Sequence, residues 1–299
     1  MRKRGRKILG LACLLLLIPC TVVLLKQQPA EHMAESADSG RQIVLESGRS
    51  VDLETFVLYM TAAQISPSYG PETRKCQAVI ARTYLFRELG EETSKAAAEL
   101  EAAYLDEEEM QKLWGKDYSE NYKKLEEAVQ ATEGQTLCRD GEWVAAVFHG
   151  ISAGRTRSGG EAFPYLEARD CPEDRLADGY LQTVEYTFRE AARRLEEKSG
   201  VKVETDFLSD VQIVKRDAGG YVEEVQIGAS VFDGDAVAEW LELPSPCFSW
   251  EEYQGKLRIT CRGRGHGYGL SQWSASQKEE AGCTYKEILQ FFFSGAEIQ

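Results

Sequence analysis

Histidine is almost missing: 299 residues contain three, His32, His149 and His266. Eight cysteines are present, but none form a C-x-x-C pair, so zinc-ligand spacing is absent. The glycine-rich stretch 263–273 has neither G-x-G-x-x-G spacing between a strand and a helix nor a G-x-S-x-G, so it is neither a dinucleotide fingerprint nor a nucleophile elbow. No internal repeat is visible. Acids are absent from residues 1–30, which hold six of the 35 basic residues. The remainder therefore sets 29 basic against 49 acidic residues, a net charge of −20. That balance argues against nucleic acid as a partner, and it disfavours anionic polymers unless a local patch overrides it. A neutral ligand such as a sugar is easier to accept. Nothing points to a cofactor.

What is present begins at the N-terminus. Arg2, Lys3, Arg4, Arg6 and Lys7 precede an apolar run over residues 8–25, 18 residues in all. That is long enough for one short membrane-spanning helix, and the basic end should stay cytoplasmic. A cleaved signal peptide competes, but "LLLIPC" has no small-x-small site. A lipoprotein signal ending at Cys20 has Pro19 where a small residue is wanted. The expectation is an uncleaved anchor: residues 1–7 cytoplasmic, 8–25 in the membrane, 26–41 a flexible tether, and 42–299 one large exported domain. In that compartment disulfides are allowed. Cys247 and Cys261 could meet across a hairpin, or the six external cysteines are mostly buried free thiols.

Along the exported part, "RQIVLES" (41–47) predicts a short strand. "DLETFVLYMTAAQ" (52–64) has apolar residues at helical spacing and is closed by Pro67. "PETRKCQAVIARTYLFRELG" (71–90) is the clearest helix, with Pro71 and Glu72 in its first turn and Gly90 as a stop. Its expected buried stripe is Cys76, Val79, Ile80, Thr83 and Tyr84. The acid-rich stretch 91–118 reads as a solvated helical face, and 119–134 as a helix. Residues 135–149 read as a hairpin around Asp140-Gly141, with His149 at its end. Further hairpins are expected over 211–228 and 247–263, and a strand followed by a helix over 178–200. Thr284 and Glu287 form a capping box for a last helix. The fold class is α+β, with antiparallel strands and several helices.

Two glycine-rich loops, each with a histidine, stand out. "FHGISAGRTRSGGEAFPYL" (148–166) carries His149, Ser152 and Thr156. "GRGHGYGLSQW" (263–273) carries His266, Ser271, Gln272 and Trp273. Glycines let backbone N–H groups approach a ligand closely, and Trp273 offers a stacking face for a sugar. A mobile surface loop is the plainer alternative for either one alone.

Four stretches together resemble the stage II sporulation protein D family. "ETRKCQAVIARTY" (72–84) is similar to its E-A-L-K-A-Q-A-x-A-A-R-T-Y signature, and "FHGISAGRT" (148–156) to Y-H-S-T-S-G-G-x-T. "GRGHGYGLSQWSA" (263–275) resembles G-x-G-W-G-H-G-V-G-M-S-Q-W-G-A, and "TYKEILQFFFSGAEI" (284–298) its closing helix and tail. The resemblance implies a membrane-anchored protein that cleaves peptidoglycan glycan strands as a lytic transglycosylase during engulfment of the forespore. Its expected partners are strands stripped of stem peptides and other membrane-bound wall hydrolases. A single acid protonates the leaving oxygen and then helps a C6 hydroxyl close a 1,6-anhydro ring, unlike the paired carboxylates of ordinary glycosidases.

Here the chain departs from the pattern. The family's catalytic glutamate precedes the signature helix by eight residues, which leads back from Glu72 to Gln64. An amide cannot donate or accept that proton. Arg264 stands where the family tends to have Trp, Ala153 replaces a glycine, and "QFFF" replaces H-Y-Y. Some members bind zinc through a His/Cys cluster, but residues 100–135 contain neither type, so no metal site carries over. Three readings follow: a degenerate member that binds glycan or a partner hydrolase, an active enzyme with another acid such as Glu72, or a hydrolase using His149 and His266. Gln64, His149, Ser152, Thr156, His266, Ser271 and Gln272 are expected to line one concave surface, floored by Trp273.

Overall fold

A computed structural model describes residues 39–299 apart from 204–206. The expected anchor over 8–25 lies outside the described residues, and no described helix is long and apolar enough to cross a membrane. Strand β1 (Gln42–Val44) pairs antiparallel with β2 (Ser50–Asp52). Asp52 then caps helix α1 (Leu53–Gln64) by accepting from the Glu54 N–H at 2.9 Å. Helix α2 (Pro71–Leu89) follows, opened by Pro71 and stopped at Gly90, whose φ is 56°. Within the acid-rich stretch only α3 (Glu107–Trp114) and two single turns, Ala97–Glu99 and Gly115–Asp117, are helical. Residues before it form β3 (Ser94–Ala96), parallel to β1. Helix α4 (Tyr118–Gln130) closes this half.

Strands β4 (Leu137–Arg139) and β5 (Glu142–Trp143) turn at Asp140-Gly141, both at positive φ. The hairpin is shorter than its sequence pattern implies. Its second arm ends at Trp143, and β6 (Phe148–His149) instead pairs in parallel with β13 (Leu270–Ser271). Next come β7 (Leu181–Tyr186), α5 (Phe188–Ser199), the single-turn α6 (Phe207–Asp210), β8 (Val211–Arg216), β9 (Val222–Ile227) and β10 (Ser230–Asp233). Helix α7 (Gly234–Trp240) leads to β11 (Phe248–Tyr253) and β12 (Lys256–Arg262). The chain finishes with α8 (Gln272–Glu280), α9 (Tyr285–Phe292) and β14 (Glu297–Ile298). Thr284 and Glu287 form the expected capping box. The fold is α+β, with sheets of only two or three strands among the described residues.

The core sits in three places. Phe56, Val57 and Met60 of α1 pack with Ala78, Ala81 and Leu85 of α2 and with Leu125 of α4. Cys76, Val79 and Ile80, on another face of α2, pack with Ile288, Leu289 and Phe292 of α9. Helix α2 is therefore buried on more than the single stripe its sequence suggests, and that burial takes in Gln77 and Arg82. Val225, Ile227, Leu257 and Ile259 centre the third cluster. All six described cysteines are free thiols, and β11–β12 sets Phe248, not Cys247, opposite Cys261.

Candidate active site

The spacing of the second loop has a geometric cause. Gly263, Gly265, Gly267 and Gly269 have φ of 79°, 98°, 84° and 68°, a region that side chains rarely tolerate. Each also faces inward. A Cβ there would strike, in turn, the Ile151–Ser152 backbone, the His149 Cβ, the Tyr221 ring and the Val147 carbonyl. The residues between them point the other way: Arg264 and His266 are exposed and Tyr268 is half-buried. Ile151 and Arg264 exchange backbone hydrogen bonds of 3.1 and 2.7 Å, so the two glycine-rich loops lie against each other. Arg157 secures them: it bonds Asp235 at 2.6 Å and stacks 4.4 Å from the Tyr268 ring centre.

Behind the loops lies Asp174, fully buried, which the sequence reading missed. Its carboxylate accepts from the Ser152 N–H, the Ser271 hydroxyl and the Ser274 hydroxyl, each at 2.7 Å. Burial pushes its pKa up, and these hydrogen bonds oppose that shift. Ser152 and Ser271 are 0 % exposed and Thr156 is 2 % exposed. The Thr156 hydroxyl accepts from the Arg169 N–H at 2.8 Å. These three hydroxyls therefore turn inward and hold the loops, rather than facing an open groove.

The two histidines meet, their ring centres 5.8 Å apart. His149 Nδ1 lies 2.9 Å from the Tyr268 carbonyl, which can only accept, so Nδ1 carries the proton and Nε2 is a bare acceptor. That Nε2 is buried and has no partner among the described residues. Burial, aided by nearby His266, lowers the His149 pKa to about 3. His149 is thus neutral and a weak base. His266 Nδ1 accepts from the Tyr268 N–H at 3.0 Å. One edge of His266 is exposed, but crowding around the ring desolvates it, and with help from Arg157 lowers its pKa. Beside His266 and Tyr268 opens a pocket of about 450 Å³, lined by Val147, Phe163 and Leu166.

Gln64 ends α1 beside this region. Its backbone carbonyl accepts from Gln272 Nε2 at 2.8 Å. The same Gln272 Nε2 donates to Gln77 Oε1 at 3.0 Å, and Gln77 Nε2 donates to Gln64 Oε1 at 2.8 Å. Ser271 caps α8 and so aims Gln272 at α1. Gln77, fully buried, was not singled out from the sequence; its place on α2 looked like any core-facing position.

The nearby carboxylates are occupied. Glu72 accepts from Lys75 at 2.6 Å and from the Tyr285 N–H at 2.7 Å. Burial pushes its pKa up, but these two partners outweigh it and hold the group below the usual range. Glu279 caps α2, accepting from the Glu72 and Thr73 N–H groups at 3.0 Å each. Trp273 is half-buried; its backbone N–H bonds the Gly150 carbonyl at 3.1 Å, and its indole Nε1 has no partner among the described residues. The structure therefore joins Gln64 with Gln272 and His149 with His266. Among the described residues no group of three or more His, Cys, Asp or Glu could hold a metal.

Comparison with known proteins agrees on one lineage. The family described as Stage II sporulation protein matches residues 44–138. Stage II sporulation protein D of Bacillus amyloliquefaciens is 28% identical over 264 residues, covering 84% of this chain and 75% of that protein. Its counterpart in Bacillus subtilis (strain 168) is 29% identical over 266 residues, covering 85% and 76%. A protein named Amidase enhancer from Bacillus subtilis (strain 168) is 23% identical over 79% of this chain but only 39% of its own length. Matches spanning most of the chain agree with the order of motifs in the two loops and the two helices, and the chain is similar to the stage II sporulation protein D family.

Proposed function

We propose that this protein binds peptidoglycan glycan strands during sporulation and cleaves them slowly or not at all. Its relatives' names, stage II sporulation protein D and amidase enhancer, support a sporulation-related role at the cell wall. The carrying observation is Gln64. The family acid is expected at this position, and here its amide is held by Gln77 while Gln272 holds its backbone. In this reading the N-terminal segment anchors the chain in the membrane, the domain lies outside, and other membrane-bound wall hydrolases are its protein partners.

An active enzyme with another acid is the second reading. Glu72 serves it poorly, because Lys75 and Tyr285 keep it ionised. Asp174 has the raised pKa a general acid wants, but three donors and full burial close it off from a ligand. A hydrolase using His149 and His266 has the two rings in place, but the depressed pKa of His149 leaves it a weak base.

The test uses the full-length chain in detergent with peptide-free glycan strands, and mass spectrometry of 1,6-anhydro-muropeptide ends. Wild type should bind strands and yield little product. Gln64→Glu should raise product formation, by as much as the 10²–10⁴-fold that a general acid typically contributes. Robust product from wild type would assign the chemistry to another acid.

A further inference from the structure

The pocket beside His266 and Tyr268 plays no part in the glycan reading, and its walls keep most of their polar groups to themselves. Where the first glycine-rich loop forms a wall, it closes on itself. The Gly159 N–H donates to the Leu166 carbonyl at 2.7 Å, the Leu166 N–H to the Phe163 carbonyl at 2.9 Å, and the Phe163 N–H to the Gly159 carbonyl at 3.3 Å. In the segment before β6, the Ala145 N–H donates to the Tyr165 hydroxyl, and the Val147 carbonyl accepts from the Leu270 N–H. His266 gives its Nδ1 to the Tyr268 N–H. Among the lining side chains that leaves the hydroxyls of Tyr268 and Ser158, and Ser158 already accepts from the Gly160 N–H at 3.2 Å. A sugar seated here would bury hydroxyl groups short of partners, at about 1–3 kcal/mol for each one left unsatisfied. Val147, Phe163 and Leu166 suit an apolar group instead, in a space of about 450 Å³.

The pocket is built in advance. The Arg157 N–H donates to the Gly267 carbonyl at 2.8 Å, which ties the loop of Ser158 and Phe163 to the loop of His266 and Tyr268. An occupant therefore finds the shape without having to order it. At the mouth the surface changes character. Phe163 is 40 % exposed, so apolar surface continues out over the rim, and Glu161 and Ala162 beside it are exposed too. The charges around Tyr268 are mainly acidic. Burial raises its pKa, Arg157 opposes that rise, and Asp235, Asp217 and Asp233 add to it. Arg157 is itself taken by Asp235 at 2.6 Å and lies 3.7 Å from Asp217, so its charge is answered within the protein.

We propose that this pocket is a docking site for a partner protein, taking one large apolar side chain, best an aromatic, from a segment with lysine or arginine on either side. A protein segment fits better than a free apolar compound. Phe163 reaches over the rim and the acids lie outside the lining, where only an occupant that continues beyond the pocket meets them. A buried aromatic anchor inside a polar rim is the common pattern of protein recognition. The proposal holds whether or not the chain binds or cleaves glycan.

The experiment measures, by calorimetry at low salt, the binding of short capped peptides to the full-length chain in zwitterionic lipid nanodiscs, with empty nanodiscs as the blank. One peptide has a central tryptophan flanked by lysines, one has alanine in place of the tryptophan, and one has glutamates in place of the lysines. The tryptophan–lysine peptide should bind more tightly than the alanine peptide by on the order of tenfold. The glutamate peptide should bind several-fold more weakly, and high salt should close that gap. Ala162→Trp, at an exposed position, fills the pocket and should abolish the preference for tryptophan over alanine. Phe163→Ser should weaken the tryptophan peptide without filling anything, and both variants should keep the wild-type urea midpoint. A tryptophan preference unchanged in both variants would overturn the pocket as the site. Equal binding of the lysine and glutamate peptides would overturn the basic partner. Tryptamine bound as tightly as the peptide would overturn the protein partner in favour of a free aromatic amine. Displacement of the peptide by peptide-free glycan strands would assign the pocket to sugar and overturn the proposal, as would failure of wild type to bind the tryptophan–lysine peptide.

Discussion

Helices α1 and α2 are cross-linked twice, and the two links differ in kind. At one level Glu54 and Arg82 form a two-pronged ion pair, both bonds 2.7 Å, at 4 % and 0 % exposure. Arg82 also donates to the carbonyls of Val129 and Gln135, so no charge is left unanswered. At the other level Gln64 and Gln77 form a neutral amide link, half-open to solvent on the Gln64 side. A buried charge must be satisfied completely, whereas an amide keeps a free donor at little cost. The first link serves the fold, and the second leaves a group to meet a ligand.

The largest effect should come from breaking the charged link. Arg82→Leu strands Glu54 in the core and should destabilise the domain by about 3–5 kcal/mol in urea unfolding. The double variant Glu54→Leu with Arg82→Leu should lose less, because no unpaired charge is left behind. If the double variant were the weaker of the two, the ion pair would be contributing more than charge compensation.

The next effect concerns the neutral end, where neutrality is kept by burial rather than by pairing. Both His149 and His266 have folded-state pKa values below the ordinary one. The unfolded chain therefore takes up protons first as pH falls. The contribution of buried His149 is complete above about pH 6.5 and declines below it, by at most about 1.4 kcal/mol per pH unit, and exposed His266 adds less because water screens it. His149→Asn should flatten the decline of urea stability between pH 6.5 and 5 and leave the share of His266. An unchanged slope would mean that His149 is not held neutral by its surroundings.

The smallest effect should follow Gln77→Met, similar in volume but unable to bond Gln64 or Gln272. It should cost about 1–2 kcal/mol in urea unfolding, in keeping with two neutral hydrogen bonds. A loss as large as that of Arg82→Leu would erase the difference between the two links.

Much of this frame is legible in the sequence, for identifiable reasons. Helices α1, α2 and α9 carry their caps and stops as residue types, Asp52, Pro71, Gly90 and Thr284, so their limits can be read locally. The parallel pairing of β6 with β13 cannot, since Phe148–His149 looks like the end of a hairpin until Leu270–Ser271 is set beside it. The inward turn of Ser152, Thr156 and Ser271 depends on Asp174 and Arg169, which lie 22 or more residues from Ser152 or Ser271 in the first case. Small polar residues in a glycine-rich loop look alike whether they face a ligand or a buried carboxylate. Gln77 was hidden for a similar reason: an amide on a core-facing helix position gives no sign of its partners.

The alternation in residues 263–269 divides labour along one short stretch. The odd-numbered glycines hold the backbone shape against their neighbours, while Arg264, His266 and Tyr268 take no part in that close packing. Arg264 can therefore be exchanged without redrawing the loop, whereas Tyr268 carries the Arg157 stack and His266 accepts from the Tyr268 N–H. Recognition can drift across descendants of such a loop while its backbone stays the same.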